Sequence, residues 1–148
     1  MKRKIHAVAG FLSFLFVASF WTSTVVSELF LSQSAVTGVK VAVTYAFIAF
    51  IPCMAATAAT GFAMAGKRTF PTLVAKRRRM PIIGANGLLV LIPAALYLSA
   101  KALAGEFDTW FYAVQGLELL AGATNLLLLE LNIRDGRQMS CRHLTVGG

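Results

Sequence analysis

Four apolar stretches, with nearly all the positive charge on one side of them, set what this chain can fold into. The stretches cover residues 7–31, 39–65, 82–104 and 109–133. Each has roughly the 20 residues that a helix needs to cross a bilayer core. Of the 14 Lys and Arg, 12 fall into three segments. These are the N-terminus (Lys2, Arg3, Lys4), the connection between the second and third stretches (Lys67, Arg68, Lys76, Arg77, Arg78, Arg79) and the end (Arg134, Arg137, Arg142). Only Lys40 and Lys101 lie at the opposite ends. Four spans place the three basic segments on one face, and an excess of Lys and Arg in short loops marks the cytoplasmic side. The expected fold is all-α: a four-helix transmembrane bundle, up-down-up-down, with both termini cytoplasmic.

At 148 residues the chain reads as a single transmembrane domain over 1–137, with a basic cytoplasmic loop at 66–81 and a cytoplasmic tail at 138–148. A hydrophobic content of 57% with 14% charged residues excludes an ordinary soluble domain. A net charge of +8 would suggest a nucleic-acid partner in a soluble protein. Here topology and contact with anionic inner-leaflet lipid account for it, and no nucleic acid is expected. The first 21 residues start like a signal peptide, but the apolar run continues to Val26 with no small-x-small cleavage site, so it reads as a retained span. Cys53 and Cys141 fall at different depths, which speaks against a disulfide. Pro71 and Pro81 are expected to break helicity in the basic loop, with Pro81 suited to the first turn of span three. The tail lacks an apolar pattern and reads as mobile. Short connections at 32–38 and 105–108 favour an antiparallel bundle.

In lipid, polar side chains face the bundle interior and small residues allow close helix approach. At heptad spacing, span one aligns His6, Gly10, Ser13, Val17, Phe20, Thr24 and Ser27; span two aligns Ala46, Phe50, Cys53, Thr57, Thr60 or Gly61, and Met64. Span three aligns Asn86, Val90, Pro93, Tyr97 and Lys101; span four aligns Gln115, Glu118, Gly122, Asn125, Leu129 and Asn132. Trp21, Trp110, Phe107 and Phe111 suit an outer aromatic belt.

Glu118 is the most informative residue. A carboxylate between Leu117 and Leu119 inside a span is expensive and marks a functional hypothesis. Lys101 is in reach as an ion-pair partner, and Tyr97 or Thr24 as hydrogen-bond partners of a protonated form. Asn86 and Asn125 lie at comparable depth and read either as an interhelical amide bond or as a polar substrate site. His6 lies at the inner end of span one. A neutral imidazole there can ligate haem iron or another metal. Gly10 and Gly61 supply room beside a macrocycle, and Met64, Met80 or a second His6 across a dimer supply the other axial position.

No Walker loop, Rossmann glycine pattern, His-Glu-x-x-His, Cys-x-x-Cys or Gly-x-Ser-x-Gly occurs, which speaks against a soluble-type enzyme. Three segments carry a resemblance. The first is His6-Ala-Val-Ala-Gly10 leading to Phe20-Trp-Thr-Ser-Thr-Val-Val-Ser-Glu-Leu29. The second is Ala75-Lys-Arg-Arg-Arg-Met-Pro81 leading to Ala85-Asn-Gly-Leu88. The third is Gly105-Glu-Phe-Asp-Thr-Trp-Phe-Tyr112 leading through Glu118 and Asn125 to Asn132-Ile-Arg-Asp-Gly-Arg137. Together they resemble a group of small uncharacterised four-span bacterial inner-membrane proteins, which implies the bacterial cytoplasmic (inner) membrane and transfers no activity. The first-span His and the Thr-Gly ending span two are more loosely similar to small b-type cytochrome and copper-resistance membrane bundles, which implies haem b as cofactor. Three functions follow as expectations. One is a haem-b-binding membrane protein with a redox or haem-handling role through His6. Another is an accessory or structural subunit of a membrane complex. The third is a small dimeric transporter or channel using Glu118. The bilayer is the certain partner, and a homodimer or larger membrane complex is expected.

Overall fold

The computed structural model of the protein describes residues 2–65 and 71–145. Within the helices, side chains of residues 2, 3, 62, 64, 65, 71–73, 75–77 and 138–145 lie outside that description. The described residues form α1 (Lys2–Phe30), α2 (Gln33–Ala65), α3 (Pro71–Asn86), a π turn (Gly87–Leu91), α4 (Ile92–Leu103) and α5 (Thr109–Thr145), with no strand among them. α3, the π turn and α4 follow one another without a break, so the rods number four. Each contains a segment long and apolar enough to cross a bilayer: Lys4–Phe30, Gln33–Gly61, Arg78–Leu103 and Thr109–Arg137. The chain is thus a small multi-pass membrane protein.

Burial is inverted relative to a water-soluble bundle. Ser13, Thr24, Ser27, Lys40, Thr57, Ser99, Gln115, Asn125, Asn132 and Asp135 are buried, while Phe11, Phe30, Ile48, Leu89, Leu120 and Leu127 are exposed. A lipid solvent favours that arrangement, because apolar side chains lose nothing in hydrocarbon and polar ones need partners inside. α1 packs on α2 and α5, α2 on α4, and α3 and α4 on α5, which closes the four rods into a ring. A core of Val17, Val43, Phe47, Phe50, Ile83, Ala95 and Leu129 fills its middle, and Val36, Leu98, Ala102 and Phe111 fill one end. Phe16, Phe20, Phe47 and Phe50 interlock edge to face or tilted, with centroids 5.7–6.3 Å apart.

Two expectations about helix limits are corrected. Pro81 does not interrupt helicity. Pro71 opens α3, where its missing N–H is an orphan anyway, and Pro81 is accommodated inside the same helix. Residues 138–145 are not irregular either, because α5 continues to Thr145. No proline interrupts it, and a single Gly136 costs a helix only about 1 kcal/mol.

The π turn explains a third difference. Ile92 N–H bonds back to Gly87 O, five residues earlier, immediately before Pro93. One extra residue in a turn rotates everything beyond it by about 100°. The expected inward face of Pro93, Tyr97 and Lys101 is therefore replaced by its neighbours one position on. Ala94, Leu98 and Ala102 are buried, and Tyr97 is 40% exposed.

The α4–α5 connection is tightly built. Gly105, at φ +71°, sits where only glycine is unstrained, with Gly105 N–H on Ala102 O and Glu106 N–H on Lys101 O, the Schellman pattern. Asp108 caps α5 by accepting from Phe111 N–H at 2.8 Å.

Candidate functional site

Heptad spacing on α2 runs back from Phe50 to Val43 and Val36, and from Phe47 to Lys40. Lys40 therefore turns inward with the core and is 1% exposed. On α5, Gln115 and Glu118 are three residues apart and share a face. Lys40 Nζ lies 2.6 Å from Glu118 Oε2, and Gln115 Nε2 donates to the same oxygen at 3.1 Å. Glu28, near the end of α1, is close enough for Lys40 and Glu118 to act on it electrostatically. Burying charge is costly. Each ion loses several kcal/mol of hydration, which a partner recovers only with good geometry. Two carboxylates face one ammonium here, so with all three ionised the cluster carries net negative charge inside a span.

Its hydrogen bonding is also incomplete. Glu28 Oε1 and Gln115 Oε1 are buried acceptors with no donor. Glu118 makes both its bonds through Oε2. Glu118 also lines a cavity of about 50 Å³ walled by Phe20, Trp21, Thr24, Val43, Phe47 and Phe50, with Leu91 of the π turn and Ile92 of α4. Trp21 belongs to this wall rather than to an outer belt. Its Nε1–H donates to Leu119 O at 3.0 Å, and its ring crosses Gly122 with Cδ1 3.0 Å from where a Cβ would stand. Phe111 is fully buried, while Trp110 is exposed.

Other residues singled out in the sequence are placed elsewhere. Lys101 does not reach Glu118; it pairs with Glu106 at 2.9 Å and Asp108 at 2.5 Å in the α4–α5 connection. The Lys101 ammonium on Asp108 holds that carboxyl below the usual carboxylate range, helped by the Phe111 amide. Asn86 Nδ2 donates to Asn125 Oδ1 at 2.9 Å and to Ala121 O at 2.8 Å, while Asn125 Nδ2 points to Ile83 O. The pair is an amide clamp between α3 and α5. Nearer the far end, Asn132 donates to Met80 Sδ, and Arg79 pairs with buried Asp135 at 2.7 Å.

His6 packs between α1 and α2. Its Nδ1 lies 3.0 Å from Thr57 O, an acceptor only, so Nδ1 carries the proton; Thr60 Oγ1 is 3.1 Å away. The His6 ring approaches to 3.2 Å of the position a Cβ would take on Gly61, and Met80 Cε to 3.8 Å of the same point. Gly10 meets Thr57 across the same contact. These small residues bring helices together. A haem plane would have to part α1 from α2 there. Met64's side chain lies outside the description, and no cluster of three His, Cys, Asp or Glu placed to hold a metal occurs among the described residues.

Sequence reasoning found Glu118 and missed its partner. Lys40 was grouped with the outer ends by its position in the chain, yet it sits seven residues before Phe47, which the structure places in the core. Comparison of the chain with protein-family models, with curated proteins and with solved structures finds no match in any of the three.

Proposed function

We propose that the chain is a small transporter in which a proton or cation exchanges at Glu118. The observation that carries this reading is the Lys40–Glu118 pair, buried in a span yet set on the wall of a cavity. A pair kept only for packing gains nothing from bordering a cavity, whereas an exchange site needs access. A charge arriving at Glu118 cancels its attraction for Lys40 and frees the ammonium to move. The polar groups are separated in depth by the Phe16–Phe20–Phe47–Phe50 cluster, which gives a water-excluding layer across which exchange has to be gated.

The same reading takes the bundle as up-down-up-down. Partner numbers on α2 fall as those on α1 rise: His6 with Thr57, Phe16 with Phe50, Phe20 with Phe47. On α5 they fall from Asp135 to Asn125 as those on α3 rise from Arg79 to Asn86. We place both termini in the cytoplasm of a bacterial inner membrane. Of the 14 Lys and Arg, 12 lie on the face we place inside, and it is that count that sets orientation.

The test is proton flux in proteoliposomes under an imposed potential, read by an internal pH dye. Flux above that of empty liposomes, abolished by Glu118→Gln, is expected. Equal flux in that variant refutes the assignment.

A further inference from the structure

We propose that the ion exchanging at Glu118 is ammonium or a short primary alkylammonium, and that Glu28 receives Lys40 when it binds. This rests on the transport reading of the same site but makes a separate claim about what is bound.

The first support is the imbalance of donors and acceptors. Glu28 Oε1 and Gln115 Oε1 are buried acceptors without a hydrogen bond, and Gln115, only 4% exposed, bonds Glu118 directly. A buried acceptor left bare costs about 1–3 kcal/mol, so the site favours a ligand that brings N–H groups with its positive charge. The second support is Lys40 itself. It is an alkylammonium tethered to the protein, buried at 1% exposure with its head on Glu118. The site already solvates this chemical class.

The cavity sets the size. One water needs about 10–15 Å³ of such volume, so about 50 Å³ holds only a few heavy atoms. That admits ammonium and methylammonium and excludes drug-sized amines. The faces of Phe20, Trp21, Phe47 and Phe50 suit a small cation with an apolar end.

Charge then assigns Glu28 its role. With both carboxylates ionised the empty cluster is net negative. Once an ammonium ion takes Glu118, Lys40 needs a new partner, and Glu28, whose buried Oε1 has no donor, is the carboxylate we assign to it. The loaded cluster is neutral, with each carboxylate matched to one ammonium, and a neutral cluster costs less to move within a low-dielectric bundle. Lys40 is thus an internal competitor. Removing it raises the binding-competent fraction and tightens affinity.

The chain has two Trp, and Trp110 is exposed and away from the cavity wall. In full-length Trp110→Phe protein in detergent, fluorescence reports Trp21 alone. Titration with methylammonium at constant ionic strength is expected to give a saturable change. Affinity should fall at least tenfold in Glu118→Gln and in Glu28→Gln, and rise at least tenfold in Lys40→Met. Tetramethylammonium, which has charge but no N–H, should give no response. An equal response to tetramethylammonium or potassium, or unchanged affinity in Lys40→Met, overturns the proposal. Unchanged affinity in Glu28→Gln overturns the role of Glu28. If Glu118→Gln does not fold, Glu118→Asp takes its place with the same expected direction. Proton flux without methylammonium binding sinks this inference and leaves the transport reading standing; methylammonium binding with flux of neither methylammonium nor protons does the reverse.

Discussion

Lys40→Met keeps most of the side-chain volume and removes the ammonium. Glu118 then retains its bond from Gln115 and, at 13% exposure beside a cavity, some access to water. The cost should be about 2 kcal/mol, below the ~3–5 kcal/mol of breaking a fully buried pair. Glu118→Leu is harsher. It leaves the Lys40 ammonium, 1% exposed, without its 2.6 Å partner, and should cost about 3 kcal/mol. Making both changes removes both charges together, so the double variant should lose only about 2 kcal/mol, which makes the coupling about 3 kcal/mol. The assay is reversible unfolding in mixed micelles, followed by helical circular dichroism across the four variants. A coupling below about 0.5 kcal/mol refutes the reasoning, because it would mean the two groups do not depend on one another. The exchanged pair, Lys40→Glu with Glu118→Lys, separates packing from function. It should recover most of the stability yet carry no flux, since the carboxylate no longer lines the cavity.

Asn125→Ala leaves Asn86 without its Oδ1 acceptor and should destabilise the bundle by about 1 kcal/mol in the same assay, in line with interhelical hydrogen bonds in membranes. Gly122→Leu should displace Trp21, break its bond to Leu119 O and red-shift Trp21 emission in the Trp110→Phe background. The Asp108 cap has a depressed folded-state pKa, so its contribution is complete above the ordinary Asp range and lost as pH falls through the lower folded value. Amide exchange at Phe111 should therefore stay protected down to about pH 4 and open only below it; loss of protection already at pH 6 would contradict the geometry. His6→Ala should reduce thermal stability through the lost Thr57 contact and leave the visible spectrum unchanged. A Soret band in the parent that disappears in His6→Ala would instead establish haem.

The four rods were legible because length and hydropathy fix them without reference to tertiary contacts. The inward faces of α1 and α5 were legible for the same reason. Polar residues in lipid-spanning helices must turn inward, and Ser13, Thr24, Ser27, Gln115, Asn125 and Asn132 do so. Lys40 was hidden by a different kind of reasoning. Counting it as an outer-end charge used its place in the chain and ignored its phase relative to Phe47. The pairing of Lys101 was hidden by the π turn, which no count of heptads anticipates; Asp108, seven residues on, lies within its reach only because Gly105 folds the connection back. The helical run through Pro81 and to Thr145 was missed because proline and the lack of an apolar pattern are statistical stop signals, and neighbouring helices override them.

The π turn also sets how this bundle tolerates a change in length. Span three is pinned below it by Asn86 and walls the cavity above it, so its two halves are held out of phase by one residue. Deleting one residue from Gly87–Leu91 would close the wide turn to an ordinary α turn and leave Ala94, Leu98 and Ala102 facing inward. The same deletion in the regular helix of α3 or α4 has no such slack and would rotate every position beyond it by about 100°. In this stretch a codon can be lost without turning the interior face of the rod outward.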